Sequence, residues 1–366
     1  MDDRERILVD KLISGIDEVI KNDYDKYNRQ KKLRERLLNC SNICCFGIGK
    51  FFEDCVNIAG FNSFNILCDN DRSKWGKYFF GRQCISVDEL VKINDLVVII
   101  TVAKYKDIYN QLKNMNLEVY YIGDYFLNMY DKKYDKQYFE NNKERIVKSF
   151  YLFEDYQSKE VYVEHFLNKV SNKNNIKSFC DLQTDGEYFN TDLLDITDTE
   201  YFVDCGAFTG DTIMDFIKKC KNKYKLIYAF ELDNTIYEEL TENIKECKVN
   251  NIKLYNFGVG EEEKEIIYSY KGNKNMKSKL IRLDDILSEH KVTFIKMDIE
   301  GAELGALKSS VKIIKEQAPK LAICAYHLLY DLWEIPLFIK SINPKYKLYL
   351  RHHSPIVWDT VLYAQI

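Results

Sequence analysis

The stretch Val203-Asp-Cys-Gly-Ala-Phe-Thr-Gly-Asp211 decides how this chain is read. Tyr201, Phe202 and Val203 form an apolar strand that delivers Asp204. Gly206 lets the backbone turn sharply, and Gly210 leaves room for close approach. Ile213, Phe216, Ile217 and Cys220 then recur at helical spacing. Strand, glycine turn and helix in this order make a small-molecule site. The spacing Asp-x-Gly-x-x-x-Gly is wider than the G-x-G-x-x-G turn that cradles a pyrophosphate.

The same alternation continues to the end of the chain. Tyr201–Asp204, Leu226–Phe230, Ile252–Phe257, Phe294–Met297 and Leu321–Ala325 read as strands, with helices at Thr212–Lys219, Ile236–Ile244, Asp284–Glu289 and Leu304–Ile314. Two β-prone runs, Tyr346–Arg351 and Thr360–Ala364, flank the turn Ser354-Pro355 and pair antiparallel. The pattern predicts an α/β fold with a mostly parallel sheet and an antiparallel C-terminal edge. This is the outline of a class I methyltransferase.

In an open α/β sheet, ligands bind beyond the carboxyl ends of the strands. Asp204, Glu231, Gly258 and Asp298 stand at those ends. A carboxylate at Glu231 suits a ribose diol, and the wide loop suits S-adenosylmethionine, which has no pyrophosphate. The expected cofactor contacts are Asp204, Gly206, Ala207, Phe208, Thr209, Gly210, Asp211, Thr212, Glu231, Leu232, Gly258, Val259 and Asp298. Methyl transfer to a hydroxyl needs a group that takes the acceptor's proton. Asp298, His327 and Glu300, on one rim, are the catalytic candidates, and Tyr188, Glu303 and His352 are candidate acceptor contacts. Tyr188-Phe189 reads either as a lid or as a packed aromatic pair. Oxygen ligands from Asp298, Glu300 and Asp331 would suit Mg2+, although no spacing demands a metal.

From about Ser178 onward the chain resembles the FkbM family of S-adenosylmethionine-dependent methyltransferases. The resemblance rests on Val203–Thr212, Ala229-Phe-Glu231, Leu283-Asp-Asp-Ile286, Ile295-Lys-Met-Asp-Ile-Glu-Gly-Ala-Glu303 and Trp358-Asp-Thr-Val-Leu-Tyr-Ala364. It implies O-methylation of hydroxyls on sugars and polyketides, often in glycan pathways, and the acceptor expected here is a hydroxyl of a saccharide or nucleotide-linked sugar. Two rival readings are an NAD-dependent sugar oxidoreductase or epimerase built on the N-terminal half, and a non-catalytic sensor or scaffold that binds the cofactor.

The N-terminal half repeats the alternation on a smaller scale. After packing helices in 1–40, residues 41–125 read as a Rossmann-like unit: strand Ile43–Phe46, turn Gly47-Ile-Gly49, helix Phe52–Ala59 stopped by Gly60, and strands ending at Asp69, Thr101 and Ile122. Gly47, Gly49 and Asp69 form half of a dinucleotide fingerprint, but Phe52 stands where the third glycine belongs. The unit loosely resembles the small nucleotide-sugar-binding N-terminal domains found with sugar-modifying enzymes. Residues 126–177 read as a helical connector ending in the polar turn Asn172–Lys177, with His165 a packing residue, and 178–366 as the methyltransferase domain.

Composition narrows the partners. Lys+Arg 53 against Asp+Glu 57 gives a net charge of -4, and the basic run Arg29–Arg36 is interleaved with Gln30 and Glu35, so it reads as a solvated face and nucleic acid is not an expected partner. The 11 cysteines include no C-x-x-C pair and read as reduced thiols, which with the charged N-terminus points to the cytoplasm. The apolar run Leu96–Ala103 is far shorter than the roughly 20 residues that span a bilayer, so membrane insertion is not expected. A small-molecule or saccharide substrate is the expected partner, with a homo-oligomer left open.

Overall fold

The computed structural model describes residues 2–22, 33–57, 61–102, 105–125, 134–170, 177, 179–190, 192–270 and 273–366. Residues 29–32 of the basic run, Ala59 and Gly60, and most of the turn 172–177 lie outside the described residues. Among the described residues, no helix is long and apolar enough to cross a membrane.

The first sheet contains β1 (Asn42–Phe46), β2 (Ile66–Cys68), β3 (Tyr78–Phe79), β4 (Arg82–Ile85), β5 (Leu96–Ile100) and β6 (Glu118–Tyr121), in the order β3-β4-β2-β1-β5-β6. All its pairings are parallel except the β3–β4 hairpin. β5 is buried along its whole length, as its continuous Leu-Val-Val-Ile-Ile demands.

The second sheet contains β7 (Tyr201–Cys205), β8 (Leu226–Phe230) and β9 (Ile252–Tyr255). After the small sheet of β10 (Gly258–Val259), β11 (Lys264–Tyr270) and β12 (Asn273–Ile281) come β13 (Phe294–Met297), β14 (Lys320–Cys324), β15 (Lys347–His352) and β16 (Thr360–Gln365). The seven-stranded order is β15-β16-β14-β13-β7-β8-β9. β7, β8, β9, β13 and β14 run parallel, and β16 runs antiparallel to both its neighbours. The antiparallel strand is therefore not the edge, as the sequence suggested: β16 slots between β14 and β15, so β15 closes the sheet in the common direction.

Alternate side chains of this sheet enter two cores. Val203, Cys205, Tyr228, Phe230, Ile295, Met297, Leu321 and Ile323 face one layer. Phe202, Ile227, Ala229, Phe294, Ala322 and Cys324 face the helices Asp211–Lys219 and Asn234–Glu246 with Tyr188 and Phe189. The first layer holds the N-terminal helix Asp3–Asn22 and the helices Lys136–Phe150 and Tyr156–Val170. Both helical segments read as separate from the last domain thus share its core, clamped by Arg351 on Asp155 at 2.6 Å. His165 packs there fully buried, beside Phe179 and His352.

Candidate functional site

Strand order reverses between β7 and β13, so a crevice opens where Cys205 leads into Gly206 and Met297 into Asp298. The two exits are stitched together: Asp298 N–H donates to the Cys205 carbonyl at 3.1 Å. Gly206 has φ +81°, and a Cβ there would lie 1.9 Å from the Asp298 carbonyl oxygen. Only glycine fits this turn.

Asp204 lies beneath the crevice. Its register partner on β13 is Lys296, and their charges meet at 3.0 Å with both side chains buried. The Lys296 ammonium also donates to the Gly206 carbonyl at 2.8 Å and lies under the Tyr188 ring. Burial pushes the Asp204 carboxyl up to about 6 against the pull of Lys296. With no exposed surface, Asp204 braces the loop through Lys296 and presents nothing to a ligand, contrary to the expected direct contact.

Glu231 sits just past the end of β8. Its two oxygens accept from Phe208 N–H at 3.0 Å and Asp233 N–H at 2.8 Å, which fixes the carboxylate across the crevice from Asp298. Each oxygen keeps a lone pair for another donor. Phe208, left-handed at φ 47° and 45% exposed, adds an apolar face. Ala207 is buried, Gly210 (φ 94°) starts the helix that Asp211 and Thr212 continue, and the Thr209 carbonyl accepts from Asn243. Leu232 packs on Gly258, which with Val259 forms buried β10; these two line the interior behind Glu231. The hairpin of β11 and β12 supports this side, with Tyr268 donating to Asp233 at 3.0 Å and Ser278 to the Leu232 carbonyl at 2.9 Å.

On the other side of the crevice, His327 is held between carboxylates. Its Nδ1 faces Glu303 Oε1 at 3.0 Å, and its Nε2 lies 3.5 Å from both Asp298 Oδ1 and Glu300 Oε2. The ring lies against Tyr326, tilted by 31° with centroids 4.0 Å apart. Burial pushes the imidazole down, but Glu303, Asp298 and Glu300 outweigh it and lift it to about 9. Burial pushes the Asp298 carboxyl up, yet Lys296, His327 and the hydroxyl of Tyr188 hold it below its ordinary value. Tyr188 donates to Asp298 Oδ2 at 2.8 Å and Tyr326 to Oδ1 at 3.3 Å.

Several expectations change here. Tyr188 is a buried donor to Asp298 rather than a lid. Glu303 is fully buried and its Oε1 also accepts Ile299 N–H at 2.8 Å, so it orients His327 and offers no face to an acceptor. His352 points into the packed interior, its Nδ1 2.7 Å from Thr360 Oγ1, and burial pushes it down to about 3. Its neighbour His353 faces the Tyr188 loop, 2.8 Å from Tyr363 OH and from the Thr184 carbonyl. The oxygen set expected for Mg2+ is not assembled, because Asp331 is buried and accepts Leu328 N–H at 2.9 Å. Asp298, Glu303 and His327 do offer atoms within 4.8 Å of one another. In that set the imidazole lies between the acids and supplies the balancing charge itself, so the donors do not fit a hard cation.

Two acids went unnoticed in the sequence. Burial together with the charges of Glu187 and Asp298 pushes Asp359 up to about 7, and burial raises Glu187. Both lie in loops without periodicity; Asp359 stands within Trp358-Asp-Thr, where its motif could have flagged it. Tyr188, Phe208, Glu300 and Asp359 all hold positive φ around this one crevice. Such strain clusters at functional sites.

In the first sheet, Asp69 accepts from Ile48 N–H at 2.7 Å, Lys74 Nζ at 2.8 Å and Asp71 N–H at 2.8 Å. Two of these bonds fill Oδ2 and one goes to Oδ1, so the carboxylate that the NAD reading assigned to a ribose keeps a single acceptor site.

Residues 204–345 match the family model described as the methyltransferase FkbM domain. No curated protein matches the chain. Among solved structures, the chain is similar to a methyltransferase FkbM from Methylobacillus flagellatus KT, with 24% identity, 98% of this chain and 100% of that one covered, and a TM-score of 0.70. That likeness shows a shared fold. Part of the chain is also similar to an rRNA methylase from Streptococcus thermophilus (14% identity, 48% of this chain, 89% of that one, TM-score 0.33). Another partial match is fibrillarin from Aeropyrum pernix in complex with S-adenosyl-L-methionine (10% identity, 48% of this chain, 70% of that one, TM-score 0.32).

Proposed function

We propose that this chain, whose residues 204–345 form a methyltransferase FkbM domain, moves the methyl group of S-adenosylmethionine to a hydroxyl of a saccharide or nucleotide-linked sugar. The observation that carries the reading is His327, buried with Nδ1 against Glu303 and with Nε2 3.5 Å from both Asp298 and the exposed Glu300, at the rim of the crevice that Glu231 bounds from the other side.

The donor set suits that cofactor. The remaining lone pairs of Glu231 match a ribose diol, and the Gly206 turn with Phe208 supplies backbone and an apolar face. When bound, S-adenosylmethionine would supply an electrophilic methyl carbon, whose bond to sulfur breaks with the electron pair left on sulfur as a neutral thioether. The chain's own residues then work on the acceptor. Neutral His327 takes the hydroxyl proton at Nε2, and Glu303 stabilises the imidazolium that results, leaving the acceptor oxygen free to bond the methyl carbon. Asp298 and Glu300 orient the acceptor, with Glu187 and Asp359 beyond them. A rim of carboxylates matches adjacent sugar hydroxyls, each of which needs an acceptor.

The test is mass spectrometry of nucleotide sugars and oligosaccharides incubated with the protein and isotopically labelled methyl donor. Label on a sugar oxygen supports the reading, and also excludes a non-catalytic cofactor binder. Label found only on nitrogen would move it to amine acceptors, which the same carboxylates would attract.

A further inference from the structure

The first sheet has its own reversal of strand order, between β1 and β5, and a cavity of about 410 Å³ opens there at the carboxyl ends of the strands. This is a volume typical of small-molecule sites, on a sheet separate from the one that carries Asp298. Part of its lining is cationic and polar: Lys50, Lys74 and the turn Gly47–Gly49. Lys74 is held in place by the Ile48 carbonyl at 2.7 Å and Asp69 at 2.8 Å, which uses two of its three N–H donors. Apolar side chains, Phe51, Val102 and Ile108, complete the lining, with Val102 packed directly on Gly47. Gly49 is exposed, and a Cβ there would meet nothing within 4 Å. The helix Lys50–Asn57 starts beside it, so its dipole adds to the positive lining.

We propose that this cavity binds a nucleoside diphosphate group, with the phosphates on Lys50, Lys74 and the Gly47–Gly49 turn and the base against Phe51, Val102 and Ile108. Lys50 and Lys74 place two cationic side chains in the lining, which favours an anion. Three of the chain's own donors engage Asp69, two on Oδ2 and one on Oδ1, which leaves a single acceptor site where the ribose diol of a nicotinamide dinucleotide would need two. Phe52, buried against Phe64 and Phe80, fills the place of the glycine that close packing against a dinucleotide requires.

The experiment is calorimetry of the full chain with UDP, ADP, GDP, NAD and inorganic pyrophosphate. Saturable binding of at least one nucleoside diphosphate is expected. Affinity should fall about tenfold or more in Gly49→Asp and in Lys50→Glu, which place negative charge on open ground beside the phosphates. Circular dichroism and the melting temperature verify that both variants fold. No binding of any nucleoside diphosphate, or binding that both folded variants leave intact, overturns the proposal. Tighter binding of NAD overturns the exclusion of the dinucleotide, and equal affinity for pyrophosphate overturns the assignment of the apolar side chains to a base.

Discussion

Glu303 and His327 meet at 3.0 Å, carboxylate oxygen to Nδ1, with the carboxylate fully buried. This contact links stability to pH. The imidazole is lifted from its ordinary 6.5 to about 9, so the folded state favours the imidazolium. The stabilisation is fully present below about pH 6.5 and is lost as pH rises through about 9, a change on the order of 3 kcal/mol. Urea denaturation across that window should show the loss in the wild type and a smaller one in Glu303→Gln. The rate of methyl transfer should run the opposite way, rising towards pH 9 as neutral His327 accumulates. In Glu303→Gln the rising limb should move to lower pH.

The Asp204–Lys296 pair predicts a non-additive cycle. Removing one partner leaves the other's charge buried, so Asp204→Asn should cost about 3–5 kcal/mol in urea denaturation. Asp204→Asn combined with Lys296→Met should cost less than the sum of the two single changes, because neither charge is then left uncompensated. Additive losses would show that the two do not act as a pair.

How much of this could be read from the chain alone follows from periodicity. The parallel strands were legible because β7, β8, β13 and β14 alternate between two cores or run fully apolar. The hairpin of β11 and β12 was not, since it gives no one-sided pattern: Ile267 is 67% exposed. The span read as one helix at 304–314 is two, Glu303–Lys308 and Val311–Gln317. They part at Ser309 and Ser310, whose hydroxyls bond back to the Ala306 carbonyl at 2.9 and 2.6 Å. The helix Asp331–Ile342 went unread because it is apolar nearly all round and contains Pro336. In the site, Glu231, Asp298 and His327 were legible as residues at strand ends. The burial of Asp204 and Glu303, and the inward turn of His352, depend on packing that one strand's pattern does not carry.

Glu231 predicts a binding defect larger than its folding defect. Glu231→Gln keeps an oxygen for Phe208 N–H or Asp233 N–H but loses the charge that a diol would meet. Calorimetry with S-adenosylmethionine should show affinity reduced about tenfold or more. The free protein should also lose about 1–3 kcal/mol in urea denaturation, because one of the two N–H donors is left without an acceptor, so binding is measured well below the melting temperature of the variant.

Tyr188→Phe removes one hydrogen bond to the Asp298 carboxylate and leaves the ring in its core. Stability should fall by about 1.5–3 kcal/mol in urea denaturation, the usual worth of a bond to a charged group. A cost near zero would mean that water replaces the hydroxyl at Asp298.

His327 as the base is the central claim, and single-turnover transfer of labelled methyl to the best acceptor in the sugar panel tests it most directly. His327→Asn should lower the rate by about 10²-fold or more while S-adenosylmethionine affinity stays near the wild-type value. A variant that transfers methyl at the wild-type rate with the same pH profile would contradict the account.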